Sequence, residues 1–290
     1  MNFIKIRFIF YFISLFFIVC SFFLVVFFKI NFSTDFKGGT NISFVSTNTS
    51  VKDVEKITKD LVDSTSQVSK ISNSYTVHFN SSLSEEKLSK IKEQITKEPI
   101  KGEITEVLVV SPTVGGELIT KTALAILISV IVIFIFVAYS FKNTISAVSA
   151  ILAMLHDTFI LIGFFALFGK LFGVQVDLLI ITALLTVLSF SLYDTIVIFD
   201  KVRENVKKES TLDYKSILDK SVKQTMVRSI NNSLTSVLAL FALSLFVSGT
   251  IYWFLIALLI GVIFGTYSSP FVAVPLFYDI DKLVKKYKKR

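Results

Sequence analysis

The sequence predicts a multi-pass α-helical membrane protein with six transmembrane helices and a small α+β domain between spans 1 and 2. Three observations carry that prediction. Hydrophobic residues make up 53% of the 290, and mean hydropathy is +0.70, values of a chain that lives in a bilayer. Six apolar stretches approach or exceed the roughly 20 residues a helix needs to cross: 8–28, 121–140, 145–168, 178–199, 229–248 and 251–277. Finally, residues 29–120 are polar, carry both helix and strand periodicities, and are long enough to form a domain.

Lys5 and Arg7 precede the first apolar run. That run exceeds the roughly 7–15 residues of a secretory signal core and ends at Phe27-Phe28-Lys29 with no small-residue cleavage site, so it reads as an uncleaved span. In the polar segment, alternation predicts strands at 41–47, 67–72, 75–79 and 104–110, and the helical period predicts helices at 51–63 and 83–96. Val51, Val54, Ile57 and Leu61 share one helical face, as do Leu88, Ile91 and Ile95. Ser82 with Glu85 has the spacing of a capping box, and Ser72-Asn73-Ser74 reads as a hairpin turn. The order β-α-β-β-α-β is that of the ferredoxin-like fold. Gly38-Gly39 reads as a turn at the head of this segment.

The later spans are joined by short connections, with one exception at 200–228. There Tyr214, Ile217, Leu218 and Val222 recur at helical spacing, which predicts a short amphipathic helix on the membrane surface. Gly261-Val-Ile-Phe-Gly265 predicts a close helix contact, and Pro270 with Pro275 a kinked or interfacial end to the last span. The formal charge is +8, and its basic residues gather in 201–228 and in the tail from Lys282 to Arg290. The positive-inside rule then puts 200–228 and both termini in the cytoplasm and 29–120 outside. The resulting units are residues 1–30, 31–118, 119–278 and 279–290.

That charge distribution belongs to loops and does not point to nucleic acid. A lone Cys20 and two separated histidines, His78 and His156, give neither a disulfide framework nor a zinc pattern. Gly115-Gly116-Glu117 lacks the rest of a phosphate loop, and there is no G-x-S-x-G element. The sequence therefore predicts a non-enzymatic protein with no cofactor and no metal.

Chemistry is expected where charge enters the membrane. Asp194 lies within the fourth span, six residues before Asp200 and so roughly 9 Å along the helix from it. A carboxylate there costs about 2.5–3.5 kcal/mol to insert, which makes it a candidate ion site. Arg228 opens the fifth span and can meet Asp194 if those helices are neighbours. Arg228, Asn231, Asn232, Thr235 and Ser236 form one polar stripe; Thr182, Thr186, Ser189 and Tyr193 form another, with Asp194 at its flank. A seam between the two stripes admits water and lets Asp194 change protonation; a static pair that glues helices accounts for the same residues. His156-Asp157 in the third span is a second polar pair, read either as a proton carrier or as an inter-helix hydrogen bond.

Several of these segments resemble the SecD/SecF family of protein-export membrane proteins. Asp35-Phe36-Lys37-Gly38-Gly39-Thr40 is similar to the family's D-F-x-G-G-T, and Ser111 to Leu118 to its lead-in to the second span. His156-Asp157, Ser191 to Thr195, Phe199 to Asn205, Gln224 to Asn231 and Gly265 to Ser269 are similar to elements of the later spans, in order. The resemblance implies a fold related to the resistance-nodulation-division transporters. It also implies a place in the bacterial inner membrane with the outer domain in the periplasm, and SecD, the SecYEG translocon and translocating unfolded polypeptide as partners. The proton-motive force would then drive late steps of export, with Asp194 and Arg228 as the proton-pathway pair. Half of a small-molecule or lipid exporter of that superfamily, or a structural scaffold, are the alternatives. Ser189, Phe190 and Tyr193 depart from the family's G-Y-S-L-N-D-T, and the coupling ion stays open between proton and sodium.

Overall fold

The computed structural model describes residues 3–47, 49–61, 66–71, 73–141, 143–209 and 212–288. Among them, six helical segments are long and apolar enough to cross a membrane. They are α1 (Arg7–Phe28), α5 (Pro112–Ser140), α6 (Thr144–Phe172), α7 (Leu178–Lys208), α8 (Tyr214–Ser244), and α9 (Gly249–Ser268) continued by α10 (Val274–Lys288). A four-residue helix, α2 (Thr34–Lys37), follows α1. Between it and α5 lie β1 (Gly39–Val45), α3 (Val51–Leu61), β2 (Ser66–Ile71), β3 (Ser74–Phe79), α4 (Glu85–Thr96) and β4 (Glu103–Val110).

The sheet runs β2-β3-β1-β4 with every neighbouring pair antiparallel, which is the ferredoxin-like arrangement. Strand alternation builds its two faces. Ile42 and Phe44 of β1 join Tyr75, Val77 and Phe79 of β3 in a core closed by Val54 of α3 and Ile91 and Ile95 of α4. Phe44 and Tyr75 stack with centroids 5.4 Å apart. The other face is polar: His78 Nδ1 donates to Asn41 at 2.8 Å, and Ser69 lies 3.4 Å from Nε2. Burial pushes the His78 pKa down to about 4, so the ring is neutral.

One local expectation changes. The helix after β3 begins at Glu85 with Ser84, not Ser82, at its N-cap, and Ser84 makes no side-chain cap bond. Glu85 is thus the first helical residue, too early to reach back as a capping-box partner. The hairpin expected at 72–74 has Ile71 paired with Ser74; Asn73 lies in its turn, while Ser72 falls outside the described residues. So do residues 62 and 63, the expected end of the first helix of this domain.

The D-F-x-G-G-T segment joins domain to membrane. Gly38 and Gly39 turn the chain at φ +75° and +131°, and a Cβ on Gly39 would run into the Phe79 carbonyl. Gly115 of α5 lies against the backbone of Phe36 and Gly38 so closely that an added Cβ would sit 2.9 Å from it. The stretch before α2 is tied to the stretch before α7: Val176 N–H donates to Asn31 at 2.7 Å, and Ser33 N–H to Val176 at 2.9 Å. Asp177 caps α7, its Oδ1 accepting from Ile180 N–H at 2.8 Å.

In the membrane part, α6 and α7 are the most buried spans and α1, α5 and α8 the least. Gly163 of α6 abuts Ser21 of α1, and Gly261 of α9 abuts Val187 of α7, each with no room for a Cβ. That contact bears out the G-x-x-x-G expectation. At the end away from the sheet, the expected short surface helix is instead the first two turns of α8. It runs 31 residues from Tyr214 to Ser244 with no glycine or proline to break it. Its apolar face is covered by protein: Leu218 and Val222 pack with Ile198, Phe199 and Val202 of α7 and Phe277 of α10. Asp219 accepts from Ile4 N–H at 2.9 Å, and Arg7 pairs with Asp279 of α10 at 2.9 Å. Near Pro270 the last span widens into a π-helical turn, Ser269–Ala273, before α10 resumes.

Burial, reinforced by the nearby Asp35 carboxylate, raises the Asp177 pKa to about 6, while its cap bond to Ile180 opposes the rise. The unfolded carboxyl titrates near 3.8, so the fold binds this proton more tightly. Its stabilising effect is complete below the unfolded pKa and lost as pH rises through about 6. Melting in detergent should therefore show the chain gaining about 2 kcal/mol between pH 7 and pH 4 from this group. Asp177→Asn, which keeps the cap, should remove that increment; an unchanged pH slope would refute the assignment.

Candidate functional site

α7 carries the site because its uninterrupted helical register sends successive residues to different neighbours. Val187, Ser191, Thr195 and Ile198 face inward, while Thr182, Thr186, Ser189 and Tyr193 are exposed along one side. Around the inward face, Asp157 of α6 forms a hub at 1% exposure. It accepts from Ser191 of α7 at 2.7 Å, Ser268 of α9 at 2.6 Å and His156 Nδ1 at 2.9 Å. One turn further along α7, the Thr195 and Ser269 hydroxyls lie 2.8 Å apart. Ser269 opens the π-helical turn, so the hub and the turn form one polar junction of α6, α7 and α9.

Asp194 is 3% exposed and borders this junction. Ser229 of α8 faces its carboxylate, and the buried Oδ2 has no hydrogen-bond partner. Arg228 does not pair with it. Arg228 Nη2 donates instead to the Tyr193 hydroxyl at 3.1 Å, and among the described residues no ion pair joins Arg228 to Asp194. The register explains why. Residues 193 and 194 point about 100° apart on α7, as 228 and 229 do on α8. The facing helices therefore meet in two layers, Asp194 with Ser229 inside and Tyr193 with Arg228 outside.

The two polar stripes do not close into a buried seam. Arg228, Asn231, Asn232 and Thr235 are exposed beside the exposed Thr182, Thr186, Ser189 and Tyr193. The hydroxyls of Thr186, Ser189, Thr235 and Ser236 bond carbonyls of their own helices one turn back. Together the stripes make a polar surface on the side of a membrane bundle. Asp157 makes the inter-helix hydrogen bonds that one of the two readings of His156-Asp157 expected. Sequence reasoning missed Ser191, Ser229, Ser268 and Ser269, whose only shared signal is a small hydroxyl side chain in an apolar span, with Pro270 following Ser269. It also missed Asn205, whose amide donates to Ser221 and Gln224 at 2.8 Å and clamps the exit of α7 to the start of α8.

Replacing Asp157 by leucine would strip three buried donors of their acceptor. Two of these bonds cross between helices, and such bonds in membranes are worth about 1 kcal/mol each, so Asp157→Leu should lower detergent stability by about 2 kcal/mol. Asp157→Asn, which keeps one carbonyl oxygen, should cost less than half of that. A leucine variant that melts like the parent would show that the hub does not hold the helices together.

Residues 90–283 match the family described as protein export membrane protein SecD/SecF, C-terminal. The protein translocase subunit SecF of Anaerolinea thermophila is 34% identical over 93% of this chain and 90% of its own length. That of Thermobaculum terrenum is 44% identical over 57% of this chain and 53% of its own length. The crystal structure of SecDF, a translocon-associated membrane protein from Thermus, superposes on 100% of the chain with a TM-score of 0.87 and 27% identity. The matched region is 39% of that SecDF chain. The family match and the full-length similarity agree, and the chain belongs to the SecD/SecF family of protein-export membrane proteins.

Proposed function

We propose that this chain is a SecF-type subunit that, with SecD and beside the SecYEG translocon, uses the proton-motive force to promote late steps of Sec-dependent export. Its cargo is unfolded polypeptide crossing the bacterial inner membrane. The observation that carries the reading is Asp194: buried, with one carboxylate oxygen unpaired, and set behind an exposed polar face. Buried unsatisfied polar atoms are rare in folded proteins and call for a reason, and in a membrane span that reason is usually ion or proton traffic.

The exposed face supplies the partner argument. Arginine and asparagine side chains facing lipid are costly, so Arg228, Asn231 and Asn232 call for a polar cover from another membrane protein. SecD is that cover in this reading, and the path to Asp194 then runs along their interface, lined by Thr186, Ser189 and Tyr193. Tyr193 holds Arg228 one layer away from the acid. A movement of the partner that breaks the Tyr193–Arg228 bond brings the guanidinium to Asp194, where it favours the ionised form. Restoring the bond withdraws it. His156 and Asp157 support the path from behind by fixing α7 against α6 and α9. The basic 201–228 loop and both termini lie in the cytoplasm, and the ferredoxin-like domain in the periplasm.

Asp194→Asn should insert at parental levels and retain SecD, yet abolish gradient-dependent export into membrane vesicles. Arg228→Lys, which keeps charge but not the planar fork, should impair export less than Arg228→Ala. Collapsing proton and sodium gradients separately identifies the ion. Full gradient-dependent export with Asp194→Asn eliminates the carrier role, and an export defect that merely follows lost assembly points to a scaffold.

Sidedness is tested separately in a Cys20→Ser background. Ser81→Cys and Lys223→Cys should react with a membrane-impermeant thiol reagent from opposite faces. Reaction of both from one face would overturn the proposed topology.

A further inference from the structure

α6 presents a second membrane face that the export reading leaves unused. Val148, Leu152 and Leu155 are 41%, 43% and 53% exposed, and the row continues through the half-buried Phe159 and Ile162. Their intervals alternate four and three, averaging 3.5 residues, the spacing at which one helix keeps a continuous seam with another.

This ridge has a groove on either side. Toward α1 there is one of about 460 Å3, walled by Ile18, Leu152, His156 and Phe159. Toward α5 and α7 there is one of about 260 Å3, walled by Val130, Phe134, Met154 and Leu184 among other apolar residues. The second groove exists because α5 is pinned at its ends, by Gly115 against Phe36 and by the buried Val137. A ridge between two grooves is the complement of a helix surface, since helices pack ridge into groove.

The wall of the first groove contains one polar anomaly. His156 is 6% exposed, its Nδ1 is held by Asp157, and its Nε2 has no hydrogen-bond partner. With the Nδ1 proton directed at the carboxylate, a neutral ring offers Nε2 as an acceptor. His156 is the thirteenth of the 29 residues of α6, at mid-span. Acyl chains bring no donor to that depth, whereas a protein side chain does. The slot is also distinct from the polar face assigned to SecD. Ile181, Leu184, Leu185 and Leu188 of α7 border it, about 120° around the helix from Thr182, Thr186 and Tyr193.

We propose that the Leu152–Leu155 ridge of α6 and its two flanking grooves are a docking slot for one transmembrane helix of another membrane protein. That helix is apolar along its seam and carries a hydroxyl, amide or indole N–H at mid-membrane for His156.

A photo-crosslinking phenylalanine analogue placed at Leu155 of the full chain, in native membranes, tests this. A control label goes at Phe16, on the outward face of α1. Irradiation at 155 should join the chain to another protein at a peptide inside an apolar membrane span, with a donor side chain within one turn. The label at 16 should yield lipid adducts. Loss of one buried hydrogen bond is worth about tenfold in affinity, so His156→Leu should cut the adduct about tenfold at unchanged protein level. Because His156→Leu also disturbs Asp157, Leu152→Trp serves as a second variant: it fills the slot away from the hub and should suppress the adduct as well. Arg228→Ala should leave it intact, which separates this slot from the SecD face. Lipid adducts alone at 155, adducts with a second copy of this chain, adducts in a soluble segment, or a yield indifferent to both slot variants would overturn the proposal.

Discussion

Asp157 sets the geometry on which the rest of the membrane part depends. A carboxylate at 1% exposure survives in an apolar bundle only if its oxygens are fully engaged, and here the donors come from three helices at once. That requirement fixes the rotation of α7 and α9 about their axes as well as their distance from α6. The glycines complete the constraint. Gly265 brings α9 to where an added Cβ would meet Ser191 at 3.2 Å, and Gly261 does the same one turn along at Val187. With Ser191 held inward, Asp194 must turn toward α8 and Tyr193 outward.

The consequence is a charged pair separated into layers rather than joined. Asp194 faces Ser229 and keeps one unpaired oxygen; Arg228 is parked on Tyr193. A tight ion pair would resist change, because breaking it inside a membrane strands both charges. Two groups one layer apart can be brought together or separated by a modest side-chain movement. This makes the tyrosine at 193 more than a departure from the family pattern. Its hydroxyl reaches the guanidinium from α7, which the shorter asparagine of that pattern would do only with a closer approach of the helices.

The spans, the order and register class of the small sheet, and the G-x-x-x-G contact were legible because each rests on periodicity or on a glycine whose meaning is local. Alternating Ile42 and Phe44, or Tyr75, Val77 and Phe79, specify a face without reference to any other segment. The start of α8 was misread for the opposite reason. Leu218 and Val222 form an apolar face whether the cover is lipid or protein, and only the tertiary fold brings Phe199, Val202 and Phe277 onto it. The polar stripes were legible as stripes, but which way they face depends on helix rotation, and that is set by the Asp157 hub. Ser268 and Ser269 were invisible as hub members because a serine in an apolar span usually bonds its own helix, as Ser189 and Ser236 do here.

Satisfaction of polar groups therefore divides the molecule more sharply than polarity does. Asp157, Asn205 and Asp219 are buried and hydrogen-bonded, and they hold helices to one another. Arg228, Asn231 and Asn232 are exposed where lipid would otherwise be, and they ask for a protein neighbour. Asp194 Oδ2 and His156 Nε2 are buried without a partner, and each is left over after the chain has met its own folding requirements. The first lies behind the polar face and the second in the wall of an apolar groove. A membrane bundle that leaves two such atoms unmatched on different sides of the same helix pair is incomplete in two directions. The proposed export role concerns the first direction and the proposed docking slot the second.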